Sequence, residues 1–410
     1  MENIYRAKVN LTGVADHTPL MLNHSLSEEY DCRIYLKRED LQPVRSYKIR
    51  GAYNKMKSVL PEAQAHGVVC ASAGNHAQGV ALACRSLGVR GKIYMPAATP
   101  AQKIRKVKLF GKDQVEVILF GDTFDDAYAM AMEDIATNGG VFLHPFNDAK
   151  VIEGQGTVGL EILEDSNFPI DYLIAPIGGG GLMAGVSTVF SNASPHTTLI
   201  GVEPEGAPAM YEALRAGEVQ TLTNIDPFVD GAAVRRVGEL TFEIIRDRIR
   251  EVILIPEGKV CTTILQLYNG EGIVTEPAGA LSISALDYLR EEIRGKNVVC
   301  ILSGSNNDIT RTEEIRERSL LYEGLKHYFI IRFPQRAGAL RDFLNNVLGE
   351  TDDITYFEYT KKYARSTGPA LVGIQVEQRS DYDTLIERMN AHNILYQTLN
   401  DSQMLFDLLV

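Results

Sequence analysis

Short apolar runs alternate with segments of helical period along most of the chain. Arg33, Ile34, Tyr35, Leu36 and Lys37 alternate at period two, as a half-buried strand does. Ile49, Ala52, Tyr53 and Met56 then recur at helical spacing and predict a helix over 48–60. The apolar run 67–71 predicts a buried strand, and Ala77, Val80, Ala81 and Cys84 predict a helix closed by Gly88. The same rhythm predicts strands at 92–95, 114–120, 141–144, 171–177, 199–203, 252–255 and 297–302. Helices are predicted between and after them, at 101–110, 124–137, 152–164, 182–190, 207–216, 259–269, 278–294 and 310–321. Asp122 or Thr123 stands where a cap for the helix at 124–137 belongs.

Strands alternating with helices predict an α/β architecture with mostly parallel sheets. Ligands in such sheets bind beyond the carboxyl ends of the strands. Three polar or glycine-rich loops fall at such ends: 72–76, 178–181 and 303–306. From residue 323 the order changes to β-α-β-β-α-β. Strands are expected at 328–333, 354–363, 369–377 and 394–399, with helices at 339–348 and 381–391 and a polar loop at 364–368. That order predicts a separate ferredoxin-like α+β domain over 323–410, following a larger α/β body over 1–322. The small domain carries no nucleophile-base pair or metal cluster, so it reads as a binding or assembly domain.

Composition narrows the partners. The 410 residues carry a formal net charge of −12, which argues against nucleic acid and against an anionic membrane surface. The most basic stretch, 103–112, has helical spacing and reads as a solvated helix face. Cys32, Cys70, Cys84, Cys261 and Cys300 show no metal or redox spacing, and no metal site is expected. The most apolar long run, 172–190, is interrupted by four consecutive glycines and does not read as a membrane span. The start of the chain lacks a basic-then-apolar signal pattern. A soluble, cytoplasmic protein is expected.

The loops carry the candidate chemistry. Gly178, Gly179, Gly180 and Gly181 lie between a strand and a helix. Backbone can approach a ligand closely there, and free N–H groups at the helix start suit an anion. The spacing fits neither a dinucleotide fingerprint nor a Walker loop, which leaves a small phosphate-bearing ligand or a tight packing turn. Ser72-Ala73-Gly74-Asn75-His76 also opens a helix. It suits a carboxylate or phosphate, or Ser72 or Asn75 simply caps the helix. Lys48 by itself reads as a surface charge.

Together these segments resemble a known family. Ser46-Tyr47-Lys48-Ile49-Arg50-Gly51-Ala52, Ser72-Ala73-Gly74-Asn75-His76-Ala77-Gln78-Gly79, Gly178-Gly179-Gly180-Gly181-Leu182, Glu276-Pro277-Ala278-Gly279-Ala280 and Ser303-Gly304-Ser305-Asn306 resemble the threonine dehydratases in order and spacing. The resemblance implies the tryptophan-synthase-β-like (type II) fold, a catalytic body of two open α/β subdomains, and pyridoxal 5′-phosphate as cofactor. It implies that Lys48 holds the cofactor covalently and removes the Cα proton, with Tyr47 packed near the cofactor ring. Many relatives have Phe at that position. Gly178, Gly179, Gly180, Gly181 and Leu182 would bind the phosphate, Asn75 the 3′ oxygen, and Ser303 the ring nitrogen. Ser72, Ala73, Gly74 and Asn75 would hold the substrate carboxylate. The implied reaction converts L-threonine to 2-oxobutanoate and ammonia, the first step of isoleucine biosynthesis.

The alternatives within the fold are L-serine dehydratase and serine racemase. Racemases of this type tend to carry a second serine where this chain has Ala73, which favours the dehydratase. A non-catalytic amino-acid sensor is the alternative of another class. The C-terminal segment, through Phe333-Pro334-Gln335-Arg336-Ala337-Gly338-Ala339-Leu340, resembles a single ACT-like regulatory domain. It implies an amino-acid effector, isoleucine or valine, and a homodimer or homotetramer. Some relatives hold a cation near the position of Glu203, but the segment that follows, Glu205-Gly206-Ala207-Pro208-Ala209, does not support one here.

Overall fold

The computed structural model describes residues 1–359 and 366–400. The chain divides into two compact units, Met1–Ile309 and Thr310–Val410. The first contains two parallel-rich sheets, whose strands run in chain order through both. They are β1 (Leu20–Asn23), β2 (Arg33–Arg38), β3 (Val68–Ala71), β4 (Gly91–Met95), β5 (Val115–Leu119), β6 (Val141–Phe142), β7 (Tyr172–Pro176), β8 (Thr198–Pro204), β9 (Glu251–Ile255) and β10 (Asn297–Leu302). The larger sheet has the order β1-β2-β10-β7-β8-β9, and the smaller β5-β4-β3-β6. Every pairing in them is parallel except β1 with β2.

The central strands β3 and β10 are buried at every position, as helices covering both faces of a parallel sheet require. Local signals set the helix ends. Thr123 closes a capping box with Asp126 at the start of Phe124–Asn138, and Asp148 accepts the first N–H groups of Ala149–Asp165. The stretch expected as one helix over 278–294 is two, Pro277–Ser284 and Leu286–Ile293. Several short elements add to those the pattern predicts: the helices Glu2–Leu11, His24–Glu29, Leu60–His66 and Glu239–Ile245, and the strand β1.

The register explains how distant loops meet. β2 and β10 are parallel neighbours with Arg38 opposite Leu302, so their carboxyl ends emerge side by side. The chain leaving β2 returns to bridge Ser46 to Gly304, and Tyr47 N–H donates to the Ser303 carbonyl at 3.4 Å. That tie places Lys48, the first residue of the helix Lys48–Ser58, beside the loop that follows β10.

Two residues further on, Arg50 enters a buried ion cluster. Its guanidinium bonds Glu39 at 2.7 and 2.8 Å, Glu161 at 2.5 and 2.8 Å, Thr157 Oγ1 at 3.1 Å and the Asp16 carbonyl at 3.1 Å. Lys37, fully buried, adds a 2.8 Å contact to Glu161. Burial works against the charge on Arg50, and the two carboxylates more than restore it.

The second unit contains β11 (Lys326–Pro334), β12 (Asp353–Tyr359), β13 (Thr367–Gln375) and β14 (Leu395–Thr398), with helices Ala339–Asn346 and Arg379–Ala391. The antiparallel order β12-β13-β11-β14 is that of a ferredoxin-like βαββαβ unit. The compact division falls at residues 309 and 310 rather than after 322. The helix Thr312–Tyr322 groups with the second unit because its Glu317 accepts from the Tyr328 hydroxyl at 2.7 Å and pairs with Lys326. The far end of the strand expected at 354–363, and residues 364 and 365 of the loop after it, lie outside the described residues. No helix among the described residues is long and apolar enough to cross a membrane.

Candidate active site

Three loops at the carboxyl ends of β3, β7 and β10 gather around Lys48. A narrow cleft is lined by Tyr47, Lys48, Phe146, Pro176, Gly178, Gly179, Gly180, Gly181, Leu182 and Gly231. Lys48 Nζ donates to the Pro145 carbonyl at 3.2 Å and stands 5.3 Å from the centroid of the Tyr47 ring. Burial lowers the Lys48 amine from its ordinary range to about 8, and Glu276 opposes the shift. Burial also pushes the Tyr47 hydroxyl up, so the ring acts there as a neutral wall.

The loop after β6 is shaped by His144, whose Nδ1 accepts from the N–H groups of Phe146 at 3.2 Å and Asn147 at 2.8 Å. It presents the Pro145 carbonyl to Lys48 and lays the Phe146 ring on the tetraglycine. A Cβ on Gly179 would stand 2.2 Å from that ring, so only glycine lets backbone and ring approach this closely. Gly180, with φ +93°, is the N-cap of the helix Gly181–Ala193. That helix start has no side-chain cap, so its leading N–H groups face the cleft region uncommitted to a cap. Leu182 contributes at the helix start while its side chain packs into the larger core.

The loop after β3 behaves differently from an ordinary cap. Ser72 Oγ accepts from Gly74 N–H at 3.3 Å, but the N-cap of Asn75–Leu87 is Gly74, without a side-chain cap bond. Neither Ser72 nor Asn75 caps this helix, and Ala73 offers no hydroxyl. The Asn75 amide is held between Glu276 and Asn306, at 2.6 Å from each. Ser303, buried at the end of β10, donates to the Ala278 carbonyl at 3.2 Å. Of the residues the sequence singled out, Tyr47, Lys48, Gly178, Gly179, Gly180, Gly181 and Leu182 share the cleft. Asn75 and Ser303 flank it through the residue 276–278 and 304–306 segments.

Sequence reasoning missed Phe146, the partners of Glu276, and the roles of Lys103 and Lys106. Phe146 sits between two recognisable signals but belongs to no motif. Glu276 lies in a quoted motif, yet nothing in the sequence reveals its partner. The basic stretch 103–112 is only partly a solvated face: Lys103 pairs with Asp230 at 2.5 Å, and Lys106 donates to Asn306 Oδ1 at 3.1 Å. Glu203 is fully buried and accepts the Met210 and Tyr211 N–H groups at 2.8 Å each, at the start of the helix Ala209–Ala216. Burial raises its carboxyl to about 8. Among the described residues, no group of three or more His, Cys, Asp and Glu side chains is placed to hold a metal ion.

Residues 11–304 match the family of pyridoxal-phosphate dependent enzymes, and residues 317–409 match the C-terminal regulatory domain of threonine dehydratase. The chain is 55% identical over 410 residues to the L-threonine dehydratase biosynthetic IlvA of Bacillus subtilis (strain 168), covering 100% of this chain and 97% of that one. The chain belongs to the biosynthetic threonine dehydratase family. It is 56% identical over 410 residues to the enzyme of that name from Halalkalibacterium halodurans, covering 100% of this chain and 99% of that one. The processed form of threonine deaminase isoform 2 from Solanum lycopersicum superposes with a TM-score of 0.73 at 39% identity, over 78% of this chain and 94% of that one.

Pyridoxal phosphate is the cofactor of the family, and the residues present fit it. A single partly desolvated amine faces a glycine backbone whose helix start has no side-chain cap. Those are the donors that an aldehyde and a phosphate need. Replacing Gly179 with alanine forces its Cβ against Phe146 and displaces the cradle. Affinity of the apo-protein for pyridoxal phosphate is expected to fall roughly tenfold to a hundredfold, read by fluorescence titration, with the fold retained by circular dichroism.

Proposed function

We propose that the protein is an L-threonine ammonia-lyase that converts L-threonine to 2-oxobutanoate and ammonia at the head of isoleucine biosynthesis. The observation that carries this reading is the meeting of Lys48 with the tetraglycine in one cleft, in a chain that matches biosynthetic threonine dehydratases end to end. Bound pyridoxal phosphate supplies an electron sink for charge developing at the substrate Cα.

The chain's own residues do the rest. Lys48 Nζ would hold the cofactor and, once freed, take the Cα proton, a role that its lowered pKa supports. The N–H groups around Gly178, Gly179, Gly180, Gly181 and Leu182 would bind the phosphate. Ser303 would face the ring nitrogen with a hydroxyl rather than a carboxylate, leaving that nitrogen largely unprotonated. Asn75 would bind the 3′ oxygen, and the start of its helix with Ser72, Ala73 and Gly74 would hold the substrate carboxylate. Tyr47 would pack beside the cofactor ring. The rings of Phe146 and half-buried Tyr47 would limit water around the reacting carbon.

The C-terminal unit would bind an amino-acid effector, isoleucine or valine. Its strand β12, an edge of the sheet among the described residues, exposes Tyr356, Phe357 and Tyr359 and favours pairing with a second copy. The protein would therefore work as a homodimer or homotetramer.

The test is ketoacid release from L-threonine and L-serine by the cofactor-loaded enzyme, with and without isoleucine. Release of 2-oxobutanoate that isoleucine suppresses supports the reading. Cofactor-loaded protein that releases no ketoacid from threonine contradicts it.

A further inference from the structure

An amide can turn over at little steric cost, so its partners decide which end carries the oxygen. Around Asn75 those partners form a chain with fixed polarity. Lys106 Nζ, which only donates, meets Asn306 Oδ1 at 3.1 Å. The Val44 carbonyl, which only accepts, meets Asn306 Nδ2 at 2.8 Å. Asn306 is thereby oriented, and its Nδ2 donates to Asn75 Oδ1 at 2.6 Å. The nitrogen end of Asn75 then faces Glu276 Oε1, also at 2.6 Å. The second Glu276 oxygen accepts from Asn306 N–H at 3.0 Å.

We propose that Glu276 is a positioning residue for the cofactor. With Asn306 it locks the Asn75 amide so that one N–H is spent on Glu276 and the other is presented to the 3′ oxygen of the cofactor ring. This rests on the reading that Asn75 binds that oxygen.

The niche around Glu276 is built for a carboxylate in one pose. Glu276 is 5% exposed, and a Cβ on Gly304 would stand 2.5 Å from its Oε1. Glu276 N–H donates to the Gly304 carbonyl at 3.2 Å, so both ends of the residue are tied to the loop after β10. A buried carboxylate is costly unless hydrogen-bonded, and here both oxygens have donors.

Burial, then Asp230, raises the carboxyl to about 7, against the bonds from Asn75 and Asn306 and the charge of Lys103. Lys48, Lys106 and Tyr47 feel the same carboxylate. The group is ionised above about 7, where the lock is complete, and it takes a proton as pH falls through that value.

The experiment is a double-mutant cycle on cofactor affinity, read by titrating apo-protein with pyridoxal phosphate, with the visible absorbance of each holoenzyme recorded across pH. Glu276→Gln places an amide N–H₂ against a donor, either Asn75 or Asn306. It is expected to weaken affinity on the order of tenfold in the Asn75 protein, and less than about twofold in an Asn75→Ala background. The difference between the wild-type and Glu276→Gln titrations should also be largest above pH 7 and shrink below it.

Equal losses in both backgrounds would overturn the positioning role while leaving Asn75 as a cofactor contact. An Asn75→Ala protein with unchanged affinity and absorbance would instead overturn the reading of Asn75, and the proposal with it. If Glu276→Gln does not fold, Lys106→Met enters the same cycle. A roughly threefold loss that disappears in the Asn75→Ala background supports the lock, and a loss that persists there refutes it.

Discussion

Replacing Lys48 with alanine is expected to lower turnover of threonine by roughly 10⁴-fold or more, because in the proposed mechanism one amine both holds the cofactor and moves the Cα proton. No other side chain lining the cleft offers a substitute. The cleft residues are glycines, Leu182, Pro176, Tyr47 and Phe146, and none of these is a base at neutral pH. His76 lies nearby but burial and the Lys48 charge lower it to about 3, so it stays neutral with Nε2–H on the Leu143 carbonyl. His144 is lowered to about 4, and its Nδ1 is occupied by two backbone N–H groups. The Lys48→Ala protein should remain folded, because the side chain lines the cleft rather than the core. Steady-state ketoacid release checks the loss, and thermal melting of the apo-protein checks the fold.

Replacing Arg50 with methionine is expected to cost about 3–5 kcal/mol of stability. The large effect comes from what remains behind. Glu39 is fully buried and Glu161 nearly so, and without the guanidinium only Lys37 and a few neutral donors face them. A lysine at position 50 cannot reproduce the fork that binds both carboxylates at once. Glu161 shows the sign of the pH dependence. Burial raises its carboxyl, but Arg50 and Lys37 prevail and hold it below the ordinary range. Its contribution is therefore present above the unfolded carboxylate range and is lost as pH falls through the lower folded value. Denaturant melts of the apo-protein at pH 7 measure the loss. A midpoint within error of the wild type would show that the cluster does not support the fold.

The link to function is direct. Arg50 lies one half-turn beyond Lys48 on the same helix, so the cluster anchors the element that carries the amine.

Much of this architecture is legible in the sequence because its signals are local. Buried parallel strands read as continuous apolar runs, and the tetraglycine announces a strand-to-helix turn whatever surrounds it. The βαββαβ order of the last domain follows from period alone. The parts that escape depend on tertiary partners. Glu276 precedes a proline at a helix start, a common arrangement, and only the return of the residue 304–306 segment gives it Asn75 and Asn306. Lys103 and Lys106 look solvated because the helical period says which face they share, not that Asp230 and Asn306 come to meet that face. Ser72 has every local reason to cap its helix, and Gly74 holds the position instead. The boundary at residue 322 followed a composition shift, whereas Glu317 packs its helix with Lys326 and Tyr328 of the second unit. Short elements such as β1 and Glu239–Ile245 offer too few turns or alternations for a period to emerge.

The central claim is that Lys48, and no other lysine, carries the cofactor. Borohydride reduction of the loaded enzyme, followed by proteolysis and mass mapping, tests it most directly. A pyridoxyl adduct confined to the peptide containing Lys48, and absent from the Lys48→Ala protein, is the predicted result. An adduct on Lys106 or any other lysine, with Lys48 unmodified, would contradict it.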